Sequence, residues 1–151
     1  MRASLPLSLL SLLGLGAARL ACPGGWTAGG GLCYRAFSKQ SANYSESLAA
    51  CTSAHSGAVL PSIHDIGTNS RLLGLTNNAP FYTGLVNFTG NGAGSWSWLD
   101  GSPTDFYHWA RYMPVLDNGR RSCVWVYEGD GSWSNAQCNL RLGSVLCQLE
   151  P

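Results

Sequence analysis

Apolar positions recur along this chain at two different periods. From residue 43 to 55 they follow a helical repeat, with Tyr44, Leu48 and Cys51 on one face. Asn43 and Glu46 stand at the spacing of a capping box, and Gly57 supplies a stop. A second, shorter helix is expected to start at Asp65 or Thr68 and run through Leu73, ended by Gly74. Beyond residue 80 the pattern shortens to strand-like runs at Phe81–Val86, Ser95–Leu99, Cys123–Tyr127, Ser132–Asn135 and Ser144–Leu149. The Gly-rich stretch from Cys22 to Gly31 reads as turns around Trp26, and Gly90–Gly94 reads as another turn. Between Trp109 and Cys123 lie thirteen polar, irregular residues. That is long for a connection within one domain, so the segment is expected to be functional or tied down. Helices first and strands afterwards predict an α+β fold in one domain.

Composition narrows the picture. The chain has 151 residues, 45% hydrophobic and only 11% charged, with 6 Trp, 6 Tyr and 4 Phe. Such a chain has ample apolar surface to bury, which argues against disorder. A formal net charge of +1 gives no domain-wide grip on nucleic acid.

The first eighteen residues read as a secretory signal peptide. Arg2 is the positive n-region, Leu5–Leu15 the apolar h-region, and Gly16-Ala17-Ala18 the small residues before cleavage. Gly14, Gly16 and Arg19 make the run too short for a membrane anchor. Cleavage after Ala21 would put Arg19 at the −3 position. The six cysteines, Cys22, Cys33, Cys51, Cys123, Cys138 and Cys147, form an even set without a CxxC pair. Behind a leader they imply three disulfides in an oxidising compartment, and arithmetic leaves fifteen connectivities open. Asn43-Tyr44-Ser45 and Asn87-Phe88-Thr89 are acceptor sequons for N-glycosylation.

These residues together resemble a C-type lectin-like domain, over residues 22–150. Cys22-Pro23-Gly24-Gly25-Trp26 followed by Cys33-Tyr34 looks like the N-terminal hairpin of the long form, and Cys51 sits where the first helix carries the first core cysteine. Leu60-Pro61-Ser62-Ile63-His64, Tyr82-Thr83-Gly84-Leu85 and Trp96-x-Trp98-x-Asp100-Gly101-Ser102-Pro103 follow in the family's order. Trp109-Ala110, Cys123-Val124, Trp133, Cys138 and Cys147 complete it. The resemblance implies two helices, short antiparallel strands, a long irregular loop and the pairing Cys22–Cys33, Cys51–Cys147 and Cys123–Cys138. It also implies that Trp96, Trp98 and Trp133 are packing residues.

Sugar-binding members of the family hold a calcium ion in the long-loop region, and the ion needs roughly 6–8 oxygen ligands. Carried over position by position, the ligand triplet falls on Met113-Pro114-Val115, the glutamate on Arg121, and the Trp-Asn-Asp motif on Trp133-Ser134-Asn135. The carboxylates are gone, and a guanidinium roughly 5 Å from a divalent cation costs about 7 kcal/mol at an effective dielectric of about 20. No cofactor, and in particular no calcium, is therefore expected. A rearranged site on Asp117, Asn118 and Asn135 has no motif behind it. Arg111, Tyr112, Met113, Val115, Arg120 and Arg121 stand there instead, and with Asn135 they are the candidate ligand-binding set. Arginine suits carboxylate, sulfate or phosphate, while Tyr and Met suit a packed contact.

The expected protein is a secreted recognition module binding a glycan or a protein surface, with no nucleic acid and no membrane span. The family makes a role in innate defence a natural expectation. The alternative is a structural or extracellular-matrix protein using the fold as a scaffold. An enzyme is not expected. His55, His64 and His108 are the only imidazoles, neither G-x-S-x-G nor H-E-x-x-H occurs, and bridged cysteines offer no thiol nucleophile.

Overall fold

A computed structural model describes residues 21–89 and 95–151, so the expected leader over 1–18 and the turn over 90–94 lie outside the described residues. The first helix, α1 (Tyr44–Ala54), begins at the expected box. The Asn43 side-chain oxygen accepts from the Glu46 N–H, and the Glu46 carboxylate accepts from the Asn43 N–H, both at 3.0 Å. Tyr44, Ser47 and Cys51 are its buried face, with Leu48 half-buried beside them. The second helix, α2 (Ile66–Leu75), starts with Asp65 as its cap, whose carboxylate accepts from the Thr68 N–H and hydroxyl. It runs through Gly74 rather than stopping there. The left-handed residues that end it are Asn77 (φ 53°) and Asn78 (φ 62°), and asparagine tolerates that conformation better than most residues.

Seven strands form two antiparallel sheets. Strands β1 (Thr27–Gly29), β2 (Leu32–Ala42) and β7 (Leu142–Leu149) make the first, in the order β1-β2-β7. Strands β3 (Phe81–Val86), β4 (Ser97–Trp98), β5 (Cys123–Val126) and β6 (Trp133–Ala136) make the second, in the order β4-β3-β5-β6. The long strand β2 was not expected from the sequence. Its Arg-Ala-Phe-Ser-Lys-Gln-Ser run lacks β-branched residues, and pairing with β7 from Cys33↔Leu149 to Ala42↔Leu142 makes it a strand. Of the run Ser95–Leu99 only Ser97–Trp98 pairs.

The three disulfides join Cys22 to Cys33, Cys51 to Cys147 and Cys123 to Cys138. One core cluster packs α1 against both sheets and includes Cys51, Leu60, Tyr82, Val145 and Cys147. The other includes Ile63, Leu72, Phe81, Val124, Val126 and Trp133. Gly84 lies where β3 passes the Leu60–Pro61 backbone. Its N–H donates to the Pro61 carbonyl at 2.8 Å, and a Cβ there would sit 2.8 Å from the Leu60 carbonyl oxygen.

A polar network links the two halves. Ser62 and Gln148 are buried, the Ser62 hydroxyl and the Gln148 amide nitrogen donate to one Asp100 carboxylate oxygen, and Ser102 donates to the other. Burial alone pushes the Asp100 carboxyl up, but the combined donors from Ser102, Ser62 and Gln148 hold it below the usual aspartate value.

The disulfides should differ in what they contribute. Cys51–Cys147 spans 96 positions and Cys22–Cys33 spans 11. The chain-entropy relation ranks them at about 4.7 and about 2.8 kcal/mol. Denaturation of Cys51→Ser/Cys147→Ser should therefore show the larger loss of stability; equal losses would refute the ranking. Asp100 carries a second expectation. A carboxyl with a lowered folded pKa contributes stability that is present above the unfolded pKa of about 3.9 and lost as pH falls through the folded value. Thermal unfolding of the wild type should thus weaken on acidification below about pH 4. Asp100→Asn should be less stable at neutral pH and flatter in that range.

Candidate functional site

The long segment leaves the second sheet at Trp109 and returns at Cys123. Its start is fixed by Trp133, which is fully buried. The Ala110 N–H donates to the Trp133 carbonyl at 2.8 Å, and the Trp133 N–H donates to the His108 carbonyl at 2.7 Å. The Trp133 indole N–H donates to Asn69 at 2.8 Å, while Trp98, Phe106 and Trp109 meet its ring edge-to-face. Trp96 and Trp98 are buried as well, so all three tryptophans expected to pack do so. The segment is tied down at its base.

Asn135 ties down its far end. This residue is 2% exposed. Its side-chain oxygen accepts from the Val115 N–H at 2.8 Å, and its nitrogen donates to the carbonyls of Val115 at 2.7 Å and Arg121 at 2.9 Å. Both donor hydrogens of the amide are used. Asn135, a candidate ligand-binding residue from the sequence, is thus a clamp on the loop backbone rather than a group facing outward.

The other candidates separate into two groups. Met113 and Val115 are half-buried, the Met113–Pro114 peptide is cis, and the Met113 sulfur accepts from the Ser134 hydroxyl at 3.4 Å. Arg121 is turned back on its own loop. Its guanidinium pairs with Asp117 at 3.2 Å, and its backbone N–H donates to the same carboxylate at 3.0 Å. The aspartate four residues before the arginine is the sequence signal for this pairing. Arg111 and Tyr112 face solvent, the guanidinium carbon lying 4.9 Å from the ring centroid, with Tyr112 81% exposed. Arg120 is exposed, and so is Leu116, which the sequence does not single out. A large aliphatic side chain beside Asp117 is the one hint it offers.

These positions do not fit a hard cation. The family's ligand sites present a thioether at Met113, an isopropyl group at Val115, an ion-paired guanidinium at Arg121 and an amide oxygen at Asn135 already accepting a backbone hydrogen. Among the described residues, no group of three or more His, Cys, Asp and Glu side chains could hold a metal.

Elsewhere, His64 Nδ1 lies 2.6 Å from Asp105, and that hydrogen bond holds the Asp105 carboxyl below its usual value. The nearby Ser62 hydroxyl is committed to Asp100, so it does not complete a nucleophilic arrangement with His64. The sequon residue Asn43 engages its oxygen in the helix cap and with the Ser45 hydroxyl. Asn87 is buried, with its oxygen accepting from Thr89. No described helix is long and apolar enough to cross a membrane.

Comparison with known proteins fits this geometry. The family model for the lectin C-type domain matches residues 40–149. A C-type lectin mannose-binding isoform from Oxyuranus scutellatus is 29% identical, covering 84% of this chain and 82% of the relative. A snaclec coagulation factor IX/factor X-binding protein from Gloydius halys is 27% identical, covering 87% of this chain and 83% of the relative. Among solved structures, the cow C-type carbohydrate-recognition domain of CD23, crystallised in the presence of a GlcNAc2Man3 oligosaccharide, superposes with a TM-score of 0.72. It is 26% identical, over 85% of this chain and 95% of that one.

If Asn135 holds the loop, Asn135→Ala should cost about 1–3 kcal/mol, because three backbone groups lose their partner. Amide hydrogen exchange at Val115 should accelerate with it. Unchanged protection at Val115 would mean that something else fixes the loop.

Proposed function

The chain belongs to the C-type lectin domain family, and from that premise we propose that it is a secreted recognition protein that binds its ligand through the long loop without calcium. The observation that carries this reading is the replacement of the metal by bonds within the protein. Where a cation would order the loop, the Asn135 amide holds Val115 and Arg121, and Asp117 neutralises Arg121. The loop therefore needs no ion to keep its shape, and what it offers to solvent is Arg111 against Tyr112, together with Leu116 and Arg120.

The chemistry of that surface is mixed. An exposed tyrosine backed by a guanidinium suits a stacked or packed contact. Arg111 and Arg120 form no ion pair among the described residues, so both guanidinium groups remain open to an anionic partner. A carboxylated or sulfated glycan and an acidic protein surface both match. The relatives point the same two ways, one to mannose and one to coagulation factors. Three disulfides support an oxidising, extracellular setting. Nothing in the His64–Asp105 pair supports catalysis.

A glycan array probed once in calcium and once in EGTA tests the reading. Binding is expected to persist in EGTA and to fall at least tenfold in Arg111→Ala/Tyr112→Ala, the equivalent of about 1.4 kcal/mol. Binding abolished by EGTA would overturn it. Silence under both conditions, with no protein ligand recovered, would favour the scaffold alternative.

A further inference from the structure

Strand β5 carries one aromatic side chain, and the residue just past its end a second, that neither the core nor the long loop accounts for. Val124 and Val126 are fully buried. Trp125 and Tyr127 alternate with them and so stand on the opposite face of the sheet. Their rings stack with centroids 4.5 Å apart and planes 29° from parallel, and Tyr127 is 44% exposed. Trp125 walls a surface depression of about 350 Å³ that reaches across β6 to the turn after it. Tyr127 does not line this depression; it braces the indole from outside it.

The rest of the lining is polar but electrically quiet. Leu140 and Ala136 add apolar area beside the indole, while Gln137 and Asn139 bring side-chain amides. Both amide residues are exposed, and neither side chain is hydrogen-bonded among the described residues. The single cation at the rim, Arg121, is already paired with Asp117 at 3.2 Å. The Asn135 amide is committed to the loop backbone. The depression thus offers one aromatic wall and two free amides, without an unpaired charge.

We infer that this depression is a calcium-independent seat for a neutral hexose-type sugar ring, packed against Trp125 and hydrogen-bonded by Gln137 and Asn139. The inference rests on the proposal that the protein recognises its ligand without calcium, and adds a place and a ligand class. An aromatic face carries the negative side of the ring quadrupole, and the C–H bonds of a pyranose present the positive partner. A sugar hydroxyl both donates and accepts, and each amide offers two donors and a carbonyl acceptor, so one amide can serve a hydroxyl in either sense. An apolar wall with a few convergent polar groups is the usual make-up of a small-ligand site. A sulfate or carboxylate would find its only nearby guanidinium occupied.

The test uses the full disulfide-bonded protein in EGTA. A panel of neutral hexose and N-acetylhexosamine oligosaccharides is screened by saturation-transfer NMR, and the strongest binder is then titrated by calorimetry. Trp125→Leu should weaken binding at least tenfold. Because Trp125 also packs in part against the core, Gln137→Ala/Asn139→Ala, on exposed positions, provides the variant that keeps the fold and should weaken it by a similar factor. Arg111→Ala/Tyr112→Ala should leave neutral-sugar binding unchanged. Loss through the long-loop pair but not through the depression variants would overturn this site while leaving the long-loop reading intact. No neutral sugar bound at millimolar concentration would also overturn it, and loss of every ligand in EGTA would remove both readings together.

Discussion

Closure of the chain ends is the constraint on which the rest depends. Strand β2 pairs with β7 from Cys33↔Leu149 to Ala42↔Leu142, and Cys51–Cys147 rivets α1 to the same strand. Both interactions join segments about a hundred residues apart, so they cost the most chain entropy to form and constrain the most chain once made. With the ends closed, everything between Leu60 and Arg141 is an excursion from a fixed stem. The Ser62–Asp100–Gln148 network repeats the closure in polar form, joining the start of the excursion, its middle and the last strand.

The second sheet turns that stem into a platform for an irregular loop. Trp133 is the pivot of the arrangement: its ring is enclosed by Trp98, Phe106 and Trp109, and its backbone accepts and donates at the loop's base. Two residues on, Asn135 takes the loop's far side through three hydrogen bonds. One short strand, β6, thereby secures both ends of a segment with no regular structure of its own. An irregular backbone is stable only when its polar groups find partners, and here side chains supply the partners that a metal ion could otherwise have organised.

Local signals in the sequence translated faithfully where their physics is local. The box of Asn43 and Glu46 acts over three residues, and it formed as spaced. Phe81–Val86 is buried at every position and mostly apolar, so its reading as a strand needed no partner. Gly74 misled because glycine permits a helix to end without requiring it; the turn came where Asn77 and Asn78 could take left-handed backbone. Strand β2 was silent because its middle is small and polar, and its conformation is imposed by β7. In the candidate site, Arg111 and Tyr112 were legible as exposed loop residues, whereas Asn135 looked like a remnant ligand and proved to be a clamp.

By itself, then, the sequence determined the α+β class, the cysteine complement, the helix starts and the absence of carboxylates from the positions where relatives hold an ion. All of these depend on residue identity or on spacings of a few positions. Only the tertiary structure decided that Arg121 is neutralised by Asp117, that Asn135 commits its amide to Val115 and Arg121, and that Trp125 walls a neutral depression beside β6. The reason is geometric. A side chain's chemistry is written in its identity, but whether that chemistry is offered to a ligand or consumed within the protein depends on which neighbours the closed fold brings within hydrogen-bonding distance.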